Sequence, residues 1–179
     1  MALGPLPFFD WNRFGESPLR LFVSHGVREK LQKETMNRLD DMVDTFELLG
    51  DWDQRYAYLV ELGEGLPQLP EKHRTDENRV KGCMSQVWVK AYRDPADPSL
   101  IRFHGDCDTS IIKGVLALLI QLVSGRTGAA VESLDVDEFF LRLGLDEHLS
   151  PNRHFGVYAI VELMKQQVRT LGSDTQSVA

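Results

Sequence analysis

The sequence predicts an α+β domain, a small antiparallel β-sheet with helices packed against it. Three observations lead there. Apolar residues recur at helical spacing near Met36 and again through the last third of the chain. Two alternating stretches joined by a turn lie between them. No repeat and no linker divides the hydrophobic pattern. The 179 residues suit one domain, long enough to bury most of its unfolded surface without a disulfide framework.

From Met36 onward, Leu39, Met42, Val43, Phe46 and Leu49 make one helical stripe, which Gly50 ends as a C′ glycine. Asp51 with Gln54 resembles the start of a capping box. Trp52, Tyr56, Leu59 and Val60 form the second stripe, closed by Gly63, and the two helices are expected to form a hairpin. Residues 64–80 read as a long polar connection with Pro67, Pro70 and the run Glu71-Lys72-His73-Arg74; long structureless loops in compact domains are often functional.

Ser85 to Tyr92 alternates, with Val87, Val89 and Ala91 on one face and Trp88, Lys90 and Tyr92 on the other, as a half-buried strand does. Asp94-Pro95-Ala96-Asp97-Pro98 is a turn, and Leu100 to His104 alternates again around Ile101 and Phe103. The pair reads as an antiparallel hairpin. If its turn centres near Ala96, Arg93 faces Ser99 and Cys107 faces Ser85.

After Asp108 the period changes. Ile111, Val115, Leu118, Leu119 and Leu122 mark a central, buried helix that Gly125 to Gly128 break. Val136, Phe139, Phe140 and Leu143 give a short helix stopped by Gly144. Ser150-Pro151 is an N-cap followed by proline at N1, and Val157, Ile160, Val161, Met164 and Val168 carry the last helix to Gly172. The domain therefore spans 36–172. Residues 1–35 read as a flexible N-terminal extension and 173–179 as a disordered tail. The extension carries Phe8, Phe9, Trp11 and Phe14, which could dock on the body, and Met36 offers a second start for translation. Its scattered charges and prolines fit neither a secretory signal nor a transit peptide.

Composition narrows the function. The net charge of −7, from 20 basic and 27 acidic residues, argues against nonspecific nucleic-acid binding and against an anionic membrane as partner. The apolar run from Gly114 to Val123 is too short to span a bilayer. Two cysteines suit a reducing cytoplasm rather than a disulfide scaffold.

Those cysteines carry the chemistry. Cys83 lies in Arg79-Val80-Lys81-Gly82-Cys83-Met84-Ser85, where the long connection enters the first strand. Arg79 and Lys81 favour thiolate over thiol, and Gly82 permits a sharp turn. A thiolate on a loop tip can reach into another protein's active site; a buried structural cysteine is the other reading, and the pattern alone leaves both open. Cys107, between Asp106 and Asp108, should be the poorer nucleophile, because adjacent carboxylates disfavour its thiolate. The hairpin register brings it close to Cys83, and it is either a small, inert side chain, the favoured reading, or a possible redox partner able to close a disulfide on oxidation. His73 and His104 are candidate bases for a Cys–His hydrolase, His25 and His148 are expected to be solvated, and His154 to line the first turn of the last helix. Cysteine and histidine spacing matches no zinc finger, and no glycine-rich phosphate loop follows a strand.

Six stretches carry a family resemblance: Glu77-Asn78-Arg79-Val80-Lys81-Gly82-Cys83, Ser85-Gln86-Val87-Trp88, Phe103-His104-Gly105-Asp106, Ile112-Lys113-Gly114-Val115-Leu116-Ala117-Leu118-Leu119, Ser124-Gly125-Arg126-Thr127 and Leu149-Ser150-Pro151-Asn152-Arg153. In order, from about Asn37 to Val168, they resemble the SufE family of sulfur acceptor proteins; residues 1–35 have no counterpart in it. The resemblance implies a fold shared with IscU-type iron–sulfur scaffolds. It also implies a third strand at Asn78 to Lys81, making about three strands in all. It implies that Cys83 is the persulfide-forming acceptor, that a pyridoxal-phosphate cysteine desulfurase is the partner, and that an iron–sulfur scaffold complex receives the sulfur. The protein would be an activator without a cofactor of its own rather than an enzyme. Arg79, Lys81, Asp106 and Arg153, at family motif positions, are the expected partner-binding residues. The chain departs from the family in Met84, usually glutamine, and in Cys107, usually serine. The rival readings are an IscU-like cluster scaffold, which needs three cysteines or equivalent ligands, and a thiol hydrolase or peroxidase built on Cys83.

Overall fold

Residues 38–173 are described, in a computed structural model. The extension 1–35, the alternative start at Met36, His25 and the tail from residue 174 onward lie outside the described residues.

Residues 38–49 form α1, and Gly50 reverses the chain with φ 75°. Asp51 caps α2 (Trp52–Glu64), accepting from the Gln54 backbone at 3.0 Å and its side chain at 3.1 Å. Phe46 and Tyr58 meet edge to face at 6.1 Å, which ties the two helices into the expected hairpin. Gly63 does not end α2. It lies buried inside the helix and faces Gly114 of α3 (Ser110–Val123). A Cβ at Gly114 would stand 2.1 Å from the Leu59 carbonyl oxygen, so the two backbones touch there and only glycine fits.

The sheet is antiparallel, ordered β1 (Val87–Arg93), β2 (Leu100–Cys107), β3 (Arg126–Thr127). Val87, Val89, Ala91, Ile101, Phe103 and Cys107 are buried on the inner face, in one core with α3 and α6 (Pro151–Ser173). The observed register pairs Arg93 with Ile101 and Val87 with Cys107, two residues from the expected one. A slip of two preserves which face each side chain takes, so the buried face is the expected one although the pairing differs.

The third strand is also elsewhere. At 78–81 there is one isolated bridge, Arg79 to Trp88, flanked by bonds from Val80 N to Val87 O at 2.9 Å and from Val89 N to Asn78 O at 2.8 Å. Further along the same edge Gln167 of α6 takes over: its Oε1 accepts from Ala91 N at 2.7 Å and its Nε2 donates to Val89 O at 2.8 Å. A helix side chain thus satisfies the backbone that a longer strand would have paired. The third strand, β3, falls in the segment expected to break the central helix, and α4 (Gly128–Glu132) follows it directly.

The connection 64–80 is not structureless. Leu66, Leu69, Asn78 and Val80 are buried, and Glu71–His73 make a 3₁₀ turn. α5 (Val136–Leu143) is capped by Asp135 and ends at Gly144 in the left-handed region, as expected. His148 is half-buried rather than solvated, its ring centre 3.7 Å from that of Trp52, while His154 in the first turns of α6 stacks on Phe140 at 4.7 Å.

Candidate functional site

The chain leaves the edge of β1 at buried Val80 and returns to it at Val87, and the Val80–Val87 hydrogen bond closes the base of the loop between them. Further ties hold the returning arm. Ser85 Oγ and Thr109 Oγ1 are 2.8 Å apart, and Gln86 N donates to Asp108 Oδ1 at 2.9 Å while Asp108 N donates to Gln86 O at 3.2 Å. Lys81, Gly82 and Met84 are exposed, and Gly82 takes φ 80°. That left-handed conformation turns Cys83 inward between two outward neighbours. Cys83 is half-buried and packs on the core next to Gly156 of α6.

Of the expected partner-binding residues, Arg79 and Lys81 stand exposed on the loop's outgoing arm. Lys81 reaches Asp76 at 3.4 Å, an exposed pair contributing little. Arg153 lies three residues before Gly156 on α6, half-buried, which sets it one turn from the Cys83 contact. Asp106 is different. It is half-buried between Arg74, to which it is ion-paired, and Lys113 Nζ at 2.8 Å, and its Oδ1 accepts from Cys107 N at 2.9 Å. Burial alone would raise its pKa, but the bonds from Lys113, the Cys107 backbone and Arg74 hold the carboxyl below its ordinary value. The Arg74 guanidinium also lies 5.0 Å over the Trp88 ring, directly across the strand pair from Asp106. Arg74 thereby pins the connection 64–80 to the sheet face beside the Cys83 loop.

Cys107 is buried, and both cysteines are free thiols. Its pKa is pushed up to about 11, first by burial, with Asp108, Cys83 and Asp106 adding to the shift and the Thr109 N–H opposing it. The flanking aspartates therefore matter less than desolvation. His104 is held below its ordinary pKa by burial and by nearby His73, and its Nε2 is 2.9 Å from the Tyr92 hydroxyl. Among the described residues no three His, Cys, Asp or Glu side chains come together as metal ligands. None of the described helices is long and apolar enough to cross a membrane.

Sequence reasoning missed Arg74, Lys113 and Gly156. The first two act across long separations that no local pattern reports. Gly156 did leave a signal, a glycine in the apolar pattern of a long helix.

A family model described as "SufE: Fe-S metabolism associated domain" matches residues 40–168. The chain is 39% identical over 136 residues to an uncharacterized SufE-like protein of Rhizobium etli, covering 75% of this chain and 91% of that one. It is 38% identical over 134 residues to another from Rhizobium meliloti, covering 74% and 95%. Among solved structures, the solution structure of a hypothetical protein from Thermus thermophilus has the same fold, with a TM-score of 0.63 at 22% identity, covering 76% of this chain and 96% of that one.

Proposed function

The chain belongs to the SufE family of domains associated with Fe–S metabolism, and from that premise we propose that it is a sulfur acceptor working through Cys83. The partner is a cysteine desulfurase, which strips sulfur from free cysteine with its own pyridoxal phosphate and holds it as a persulfide. The Cys83 thiolate attacks the terminal sulfur. A new S–S bond forms at Cys83, the old one breaks, and the desulfurase thiolate leaves. Cys83 then carries the sulfur to an iron–sulfur assembly scaffold in the cytoplasm. The protein is an accessory that raises the desulfurase's turnover rather than an enzyme acting on a small substrate.

The observation supporting this most is the setting of Cys83: a half-buried thiol on a loop tip, flanked by exposed residues and closed at its base by bonds to the sheet. Such a loop can present one sulfur to another protein without disturbing the core. Exposed Met84 and Phe155, 83% and 69% accessible, flank the Cys83–Gly156 contact and give the partner apolar surface to cover. Arg79, Lys81 and Arg153 supply the charge around it, with Asp106 fixed behind. Stimulation of desulfurase turnover tests the proposal. Cys83→Ser should abolish it while circular dichroism and melting stay unchanged; normal stimulation by that variant would refute the assignment.

A further inference from the structure

We propose that Gly156 is a positioning residue for the Cys83 sulfur: the bare flank of α6 at this residue reserves the space the thiol occupies while its loop is closed. The bearing on sulfur transfer rests on the acceptor reading above; the geometry does not. A Cβ at Gly156 would stand 2.8 Å from Cys83 Sγ and 3.8 Å from Cys83 Cβ; outside the adjoining backbone of its own helix it would meet nothing else within 4 Å among the described residues. Gly156 is buried near the start of a 23-residue helix, where glycine is the poorest helix former after proline. Gly63 and Gly114 answer to a different need, since each faces the backbone of a neighbouring helix. At Gly156 the missing side chain makes room for the Cys83 side chain, the thiol above all.

The same contact governs the loop tip. Lys81, Gly82 and Met84 are exposed, so of the four tip residues Cys83 alone packs inward, and it lands on Gly156. A thiol that must enter a partner's active site has to leave this seat. Gly156 therefore sets the balance between the closed loop and the presented one, through steric fit and without touching the transferred atom.

Alkylation of the free protein by iodoacetamide, read by intact mass and peptide mapping, tests the seat. Gly156→Ala should label at Cys83 about fivefold faster or more, as expected when a local opening is made easier. Labelling at Cys107 should not change. An unchanged Cys83 rate would overturn the proposal. A melting cycle supplies the second readout. Gly156→Ala should raise Tm more in a Cys83→Ala background than in the wild type, because the sulfur it collides with is gone. Equal shifts in the two backgrounds would overturn the proposal. So would a Gly156→Ala/Cys83→Ala protein that fails to fold, whereas a double variant that folds where Gly156→Ala alone does not would support it. Neither readout uses a desulfurase, so loss of the acceptor function and loss of the seat are separately visible.

Discussion

Cys107, with its pKa pushed up to about 11, stays protonated through the neutral range. The folded value lies above the ordinary 9.0, so folding retains the proton that the unfolded chain would release. The stability this contributes is complete below pH 9 and is lost as pH rises toward 11, a fall of about 2 kcal/mol. Urea titrations across that range should show a larger loss in the wild type than in Cys107→Ala, where buried tyrosines such as Tyr58 still contribute; an equal loss in the variant would contradict the burial argument. A protonated Cys107 also fixes the order of any redox chemistry. Peroxide must first convert Cys83 to its sulfenic acid, releasing water, before the Cys107 sulfur attacks and a second water leaves. We propose that peptide mapping after mild peroxide treatment finds a linked pair that forms faster at higher pH and is absent from Cys107→Ser. Separate, alkylatable thiols would remove Cys107 as a redox partner.

The charged residues around Cys83 divide into two kinds. Arg79, exposed, and Arg153, half-buried, make no ion pair among the described residues, and Lys81 has its exposed contact with Asp76. Reversing Arg79 should weaken binding to the desulfurase and make the remaining affinity less sensitive to salt, because encounter is steered by such charges. Unchanged affinity across single reversals of Arg79, Lys81 and Arg153 would remove this surface from the account. Asp106 belongs to the other kind, since Arg74 and Lys113 already hold it. A reversal there acts first inside the protein.

At the scale of elements, the closest fit is between α2 and α3. Gly114→Ala would drive a methyl group to 2.1 Å from the Leu59 carbonyl oxygen, and the helices must separate to admit it. The expected cost is roughly 3 kcal/mol or more, in the range of severe overpacking. Chemical denaturation measures it, and a cost near zero would mean that the two backbones do not touch. The same contact explains what the sequence could and could not tell. The stripes of α1, α2, α3, α5 and α6 were legible because burial imposes the helical period. Gly63 reads as a stop because a helix-breaking residue and a close-packing residue look alike in one dimension. β3 and α4 are too short to show a period, and the edge of β1 is completed by Gln167, which lies 76 residues beyond Ala91.

For the whole molecule, one core unites the sheet, α3 and α6, and the Cys83 loop is pinned to it from both sides. The position of Cys83 was legible because its cationic neighbours and Gly82 are adjacent in the chain. Its surroundings were less so: Asp106 entered as a partner-binding residue only through the family resemblance, and Arg74, Lys113 and Gly156 take their places through folding. The central claim is that one thiol in this assembly accepts sulfur. Incubation with a cysteine desulfurase and cysteine, followed by intact-mass analysis and peptide mapping, tests it directly. The account predicts a gain of one sulfur atom on the peptide that contains Cys83, and no gain in Cys83→Ser. A wild-type protein that gains no sulfur, or gains it only at Cys107, would contradict the account.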